Sequence, residues 1–189
     1  MGPIPAEAIR VPPSGDSLVG PSGWEVGARS WLRGNLEDTV HVVGVGNPIR
    51  QDDAVGLEIV ASLRRRLGPR PTPKVVIHPP SLMPERILSR VAAQGGRLMV
   101  FDAVEANRRP GSIVCANLAD TKFGFFATHN VPLRLIPGVA GSLEGSLVIG
   151  IQPESLDVGE GLSATVTEAK GRVVAAMGAI IGGLRDGPP

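Results

Sequence analysis

Short apolar runs that read as β-strands alternate with stretches of helical period along most of this chain. Such alternation is typical of α/β domains, in which helices cover both faces of a mostly parallel sheet. The expected strands are residues 41–45, 74–77, 97–101, 111–116 and 147–151, and the expected helices are residues 24–33, 53–67, 84–93 and 165–184. The sequence therefore predicts an α/β fold with one mostly parallel, twisted sheet and helices on both faces.

The 189 residues are enough for a single domain with a substantial buried core. Residues 1–22 carry prolines, glycines and serines without strand or helix periodicity, so we interpret them as a flexible leader. Residues 185–189 contain a glycine and two prolines, which end any helix, and we expect them to form a flexible tail. The folded domain should span residues 23–184.

The composition argues against two classes of partner. With 19 basic and 18 acidic side chains, the chain has no overall field that would attract nucleic acid or an anionic membrane. Aromatic residues make up only 3% and tyrosine is absent, which leaves few platforms for stacking bases. No apolar run approaches the length of a membrane span. We therefore expect no nucleic-acid partner and no membrane association.

Cys115 is the only cysteine, so no disulfide can form within the chain, and the cytoplasm is the expected compartment. The residue lies within an expected strand, where a free cysteine usually packs as a small hydrophobe. We interpret it as a buried structural thiol.

Three polar side chains lie close to where apolar runs end. Asp53 follows the first expected strand, Asp102 ends the third, and His129 lies in the segment Thr128–Pro132. Open α/β sheets place their ligand sites at the carboxyl ends of the strands, so we expect these three side chains to surround one solvent-accessible crevice. Two carboxylates and an imidazole suit nickel or zinc, and three protein ligands leave positions for a substrate. The sequence predicts a metal site there.

Asp53 and His129 also have a purely structural interpretation, whereas Asp102 is harder to explain in that way, because a carboxylate beside an apolar run must be hydrogen-bonded, paired or metal-bound. Adjacent acids at the start of a helix commonly act as N-caps, and Asp52 suits that role. His129 alone is typical of a hydrogen-bonded loop histidine. His41 and His78 show no comparable partners in the sequence.

The turn after the first strand invites a nucleotide interpretation, because Gly44-Val45-Gly46 begins like a dinucleotide-binding fingerprint. The third glycine of that fingerprint would fall at Ile49, and no acid closes the second strand. We therefore expect no nucleotide cofactor. A Rossmann-type small-molecule binder stays open as an alternative.

Four motifs in a fixed order carry a resemblance to a known family. They are the Gly-x-Gly-Asn-Pro turn at residues 44–48 followed by paired acids, Asp102-Ala103-Val104 with Pro110-Gly111 further on, Thr128-His129-Asn130-Val131-Pro132-Leu133, and Gly150-Ile151-Gln152-Pro153-Glu154. Over about Val42 to Lys170 the sequence resembles the nickel-iron hydrogenase maturation peptidases, and within them the hydrogenase-3 type.

The resemblance implies an endopeptidase, a hydrolase that removes a C-terminal extension from a hydrogenase large-subunit precursor after nickel insertion. It also implies that Asp53, Asp102 and His129 contact nickel that the precursor itself supplies, so the metal would be a recognition signal rather than a resident cofactor. The sequence contains no serine, histidine and acid set in a recognised order and no metalloprotease helix with paired histidines. We therefore assign no nucleophile.

Two segments depart from the family pattern. Gln51 and Ala54 stand beside the paired acids, where the family commonly has glycines. His78-Pro79-Pro80-Ser81 stands where the family's second strand usually ends in an Asp-Gly-Gly-Thr type of turn. The loss of that aspartate opens a second interpretation, a non-catalytic relative that binds the nickel-loaded precursor.

Overall fold

The computed structural model describes residues 23–118 and 145–184. The predicted leader, the predicted tail and the segment that contains His129 lie outside the described residues.

The described residues form one five-stranded sheet. Its strands are β1 (Val40–Gly44), β2 (Val75–Ile77), β3 (Arg97–Ala103), β4 (Ile113–Asn117) and β5 (Leu147–Ile151), in the order β2-β1-β3-β5-β4. Strands β2, β1, β3 and β5 run parallel, and β4 pairs antiparallel with β5 at one edge. The predicted mostly parallel sheet is confirmed.

Every helix that the periodicity predicts is present. The helices are α1 (Gly23–Gly34), α2 (Val55–Leu67), α3 (Pro84–Gln94) and α4 (Ala164–Gly182), and a short 3-10 helix, η1 (Gln51–Ala54), leads into α2. The helix expected at 53–67 thus begins as a 3-10 turn, so that Asp53 belongs to η1 and not to α2.

Alternate residues of β1 enter two different cores. Val40 and Val42 pack with residues of α1, α2 and α4 on one face of the sheet, whereas Val43 packs with Leu88 and Val91 of α3 on the other. This alternation is what a strand buried on both faces requires. Helices therefore cover both faces, as the sequence predicts.

The two ends of the described chain are anchored on the same face. Trp24 and Trp31 of α1 are buried, and the Trp31 indole donates a 2.8 Å hydrogen bond to the carbonyl of Gly145 just before β5. The predicted stripe of α4 is buried at Val166, Ala169, Val173, Met177, Ile180 and Ile181. Packing thus holds α4 despite its glycines, which lower its intrinsic helix propensity.

The chain path creates a switch point between β1 and β3. From β1 the chain passes through α2 to β2 on one side, and from β2 it passes through α3 to β3 on the other side. Gly44 pairs with Phe101, so the carboxyl ends of the two strands finish close to one level. Open α/β sheets bind ligands outside such a point.

Cys115 lies in β4 and is buried among core side chains. Burial raises the pKa of its thiol to about 12, which keeps it protonated and unreactive. The interpretation as a structural thiol is confirmed. Among the described helices, none is long and apolar enough to cross a membrane.

Candidate metal centre

Asp53 and Asp102 lie at the same end of the sheet, beside the switch point. Asp102 is the penultimate residue of β3, and Asp53 is the third residue of η1, which follows the turn after β1. Each side chain is only 2% exposed. The sequence predicted a solvent-accessible crevice here, whereas both carboxylates are buried.

The two carboxylates influence each other electrostatically. Burial raises the pKa of Asp102 well above its ordinary value, and the negative charge of Asp53 raises it further. The backbone N–H of Ala103 donates a 2.9 Å hydrogen bond to Oδ1 of Asp102, which acts in the opposite direction. A buried acid whose charge is disfavoured by a neighbouring carboxylate is suited to a cation that neutralises both.

The structure brings together two of the three predicted ligands. His129 lies outside the described residues, so its position relative to the two acids stays a prediction. Within residues 23–118 and 145–184, no group of three or more histidine, cysteine or acidic side chains is arranged to hold a metal ion. The described part of the site is therefore a pair of carboxylates.

Glycines allow η1 and α2 to approach the sheet this closely. A Cβ atom on Gly46, whose φ is 146°, would overlap the carbonyl oxygen of Asp53, and one on Gly56 would overlap the carbonyl oxygens of Val45 and Phe101. Gly56 therefore has the helix-to-strand packing role that a dinucleotide fingerprint assigns to its third glycine. The sequence analysis missed this role, although a glycine inside a helical pattern signals close backbone approach.

Gln51 keeps a backbone conformation that favours glycine. Its φ is 41°, in the left-handed region, where an L side chain costs roughly 1–2 kcal/mol. At this position, where the family commonly has a glycine, a side chain therefore stands on a backbone conformation that favours glycine. The Gln51 side chain lies over Gly159, where an added Cβ would sit 3.0 Å from the amide nitrogen.

Asp52 does not cap a helix, so the interpretation as an N-cap is wrong. Arg50 and Ala54 occupy the N-cap positions of η1 and α2, and neither helix has a side-chain cap. The Asp52 carboxylate instead accepts hydrogen bonds from Glu154, Ser155 and Ser163, all in the connection between β5 and α4. These partners are more than one hundred residues away in sequence, beyond the reach of a local pattern.

Gln152 organises the segment that follows Asp102. Its side-chain oxygen accepts hydrogen bonds from the backbone N–H groups of Ala106 at 2.8 Å and Arg108 at 3.2 Å. The side chain is buried at the carboxyl end of β5, next to β3. The Gly150–Glu154 motif therefore stabilises the β3–β4 connection through the side chain of Gln152.

His41 and His78 are partners of each other, which corrects the expectation that they have none. Nδ1 of His41 and Nε2 of His78 are 3.0 Å apart, and the rings stack at a centroid separation of 5.2 Å. Burial lowers the pKa of both rings, and for His78 the charges of His41, Arg90 and Arg64 lower it further, to about 4. His78 thus forms a neutral pair where the family usually has an aspartate.

Comparison with known proteins gives a consistent picture. No protein-family model and no curated protein matches the sequence. Among solved structures, the NiFe hydrogenase maturation protease HycI from Thermococcus kodakarensis KOD1 superposes with a TM-score of 0.66 at 26% identity, over 82% of this chain and 97% of that one. The chain thus has the fold of the hydrogenase maturation proteases, and this match supports the family that the motifs predict.

Two further structures share the fold. The endopeptidase HycI from Escherichia coli matches at 22% identity and a TM-score of 0.58, over 72% of this chain and 87% of that one. The hydrogenase-maturating endopeptidase HybD from Escherichia coli matches at 24% identity and a TM-score of 0.54, over 74% and 89%. The match to HycI from Thermococcus kodakarensis supports the predicted hydrolase class and is consistent with the hydrogenase-3 type.

Proposed function

We propose that this protein is an endopeptidase that removes the C-terminal extension of a NiFe-hydrogenase large-subunit precursor and recognises the precursor's nickel. Asp53, Asp102 and His129 contact that nickel in the proposal. The observation that carries it is the pair of buried, adjacent carboxylates at the switch point of a maturation-protease fold. The nickel is part of the substrate, and the cytoplasm is the proposed compartment.

The chemistry of Asp53 and Asp102 explains why the precursor's nickel would be recognised there. A buried carboxylate is costly unless it is paired, hydrogen-bonded or metal-bound. Nickel already held by the precursor would neutralise both acids, and Asp102 would release its proton on binding. Oxygen and imidazole donors suit the free positions of such an ion. Recognition of the loaded precursor would therefore follow from charge neutralisation.

Exposed apolar side chains at the carboxyl end of the sheet, which we call the apolar rim, suit a substrate that is itself a protein. Four of the five large hydrophobic side chains that are exposed in the described chain lie in connections after β1, β2 and β5: Ile49 (59% exposed), Leu82 (65%), Met83 (50%) and Val158 (83%). A parallel bridge between Arg50 and Gly159 places Ile49 beside Val158. Exposed apolar side chains gathered at one end of a fold are typical of protein-binding surfaces.

The direct experiment compares nickel-loaded and nickel-free precursor. The purified chain is incubated with each form, and cleavage is followed as a size shift on a gel. We expect cleavage of the loaded form only, and His129→Ala should abolish or sharply weaken it while the fold survives. Equal cleavage rates for both forms would contradict nickel recognition.

The second candidate is a non-catalytic relative that binds the loaded precursor. The motivating observation is the segment His78–Ser81, where His78 is engaged by His41 and no aspartate is available. Binding of the loaded precursor without cleavage of either form would favour this candidate. In that case His78→Asp should be tested for recovered cleavage.

A further inference from the structure

The paired acids of η1 have different surroundings. Asp52 is fully buried, and its Oδ2 accepts hydrogen bonds from the N–H of Glu154 at 2.9 Å, the N–H of Ser155 at 3.1 Å and the hydroxyl of Ser163 at 3.0 Å. Its Oδ1 accepts from the N–H of Ser163 at 2.6 Å. A carboxylate has about four acceptor sites, and three of these four bonds end on one oxygen. Asp52 is therefore held firmly by the protein itself.

These bonds join η1 to the connection that leads into α4. Ser163 is the N-cap of α4, and its hydroxyl accepts a hydrogen bond from the N–H of Val166 while donating to Asp52. Further bonds run alongside, from the N–H of Gln51 to the carbonyl of Gly159 and from Nε of Arg50 to the carbonyl of Leu156. The connection is thus fastened to the first two residues of η1, Gln51 and Asp52, and to Arg50 just before them.

On its other side η1 contacts the turn after β1, where Gly46 leaves room for the carbonyl of Asp53, and Gly56 lets the following helix α2 approach β3. A single turn of 3-10 helix has few internal hydrogen bonds and is not stable alone. Its position is therefore decided by what holds it from outside. The turn after β1 holds one side, and the Asp52 bonds hold the other.

We propose that Asp52 is a positioning residue for the maturation reaction: it fastens the Glu154–Ser163 connection to η1 and thereby fixes the carboxylate of Asp53 against Asp102. This inference rests on the proposed function for its effect on processing, but the structural role can be measured without it. Partners that orient a metal ligand typically matter 10- to 100-fold in affinity or activity.

The test uses three variants of the full chain. In Asp52→Asn an NH2 group replaces one carboxylate oxygen, so that a donor faces at least one N–H or O–H donor and that hydrogen bond is lost. Ser163→Ala removes only the hydroxyl and leaves three of the four bonds. Asp157→Asn is the matched control, because this exposed acid of the same connection bonds only to Ser155 among the contacts described. All are measured well below their own melting temperatures, so that the folded fraction stays near one.

For nickel-loaded precursor, we expect kcat to fall roughly 10- to 100-fold in Asp52→Asn and less in Ser163→Ala, with Asp157→Asn unchanged. Hydrogen exchange should accelerate at the Asp53 amide, which donates to the carbonyl of Arg50, as well as at the Glu154 and Ser155 amides. Faster exchange confined to the connection, with the Asp53 amide still protected, would overturn the inference. Unchanged kcat in Asp52→Asn would also overturn it.

Failure of the proposed function would look different. If the wild-type chain cleaves no loaded precursor, the kinetic arm fails for every variant equally. The exchange pattern at Asp53 then decides the positioning role by itself. If Asp52→Asn does not fold, hydrogen exchange at the Asp53 amide is measured on Ser163→Ala instead. That variant keeps three of the four bonds to Asp52 and should fold, and its exchange pattern is judged by the same criterion.

Discussion

The Asp53–Asp102 pair and the His41–His78 pair are both partly or fully buried pairs of titratable groups, and they differ in what completes them. The histidines satisfy each other: at neutral charge one ring donates and the other accepts across 3.0 Å. The acids do not: burial raises the pKa of Asp102 well above its ordinary value, and the charge of Asp53 raises it further. Two groups that satisfy each other are typical of structure, whereas a buried acid with a strongly shifted pKa is a candidate for a functional site.

The largest expected effect is that of Asp102→Asn. The amide keeps the shape and can still accept from the Ala103 N–H, but it lowers metal affinity, so processing of nickel-loaded precursor should fall by roughly 100-fold. Stability should rise, because the variant no longer buries an ionisable acid beside Asp53. Gel-based cleavage rates and the melting temperature at neutral pH check both parts. Faster processing or a lower melting temperature of Asp102→Asn would contradict the interpretation of the two acids as a site rather than a structural pair.

The sign of the stability change follows from proton binding. The pKa of Asp102 is raised in the folded state, so above the unfolded pKa the folded state holds a proton that the unfolded state has lost. The free energy of unfolding therefore falls as pH rises through that window. Asp102→Asn removes this dependence, and its advantage over the wild type should grow with pH until the folded pKa is passed.

The next largest expected effect is the pH dependence of stability that the histidine pair causes. Here the free energy of unfolding rises with pH, whereas for Asp102 it falls. The pKa of His78 is lowered to about 4, so between pH 6.5 and 4 the unfolded state binds a proton that the folded state does not. Stability is fully present above pH 6.5 and is lost as pH falls, by at most about 1.4 kcal/mol per pH unit for one proton. Arg64, Arg70 and Arg90 lie near enough to disfavour a charged ring.

His78→Gln tests this, because an amide group can still hydrogen-bond to His41 but does not titrate. Urea unfolding at a series of pH values should show a flatter acid limb for the variant, with processing of the precursor little changed at neutral pH. An acid limb as steep as that of the wild type would show that the pair is not the source of the acid sensitivity.

Much of the fold and half of the described site could be predicted because they depend on local or topological rules. Strand and helix periods placed every described strand and α-helix, though not the 3-10 helix η1, to within a few residues, and the parallel sheet brought Asp53 and Asp102 to one end. Three contacts could not be predicted for a physical reason. The Asp52 bonds, the His41–His78 pair and the packing of Gly56 depend on strand register and loop path, which a single sequence does not encode locally.

A smaller effect is expected at the apolar rim beside the acids. The double change Ile49→Ser with Val158→Ser removes two exposed side chains that the Arg50–Gly159 bridge brings together. We expect KM for the loaded precursor to rise roughly tenfold, equivalent to about 1.4 kcal/mol, with kcat little changed. Val26→Ser is the matched control, since Val26 is 65% exposed but lies on α1. Equal KM values for the double variant and the control would show that Ile49 and Val158 do not contribute to recognition of the precursor.

The smallest expected effect concerns backbone strain on the acid side. Gln51 and Asn107 are the two residues other than glycine with positive φ in the described chain, at 41° and 53°. Asparagine tolerates the left-handed region better than glutamine does, so Gln51→Gly should relieve more strain than Asn107→Gly. Against this gain of roughly 1 kcal/mol stand the entropy of glycine and the lost contact with Gly159. We expect the melting temperature of Gln51→Gly to rise by about 2–4 °C at most, and by less for Asn107→Gly. A larger fall in Gln51→Gly than in Asn107→Gly would mean that the Gln51 side chain, and not the backbone shape, holds the turn that carries Asp53.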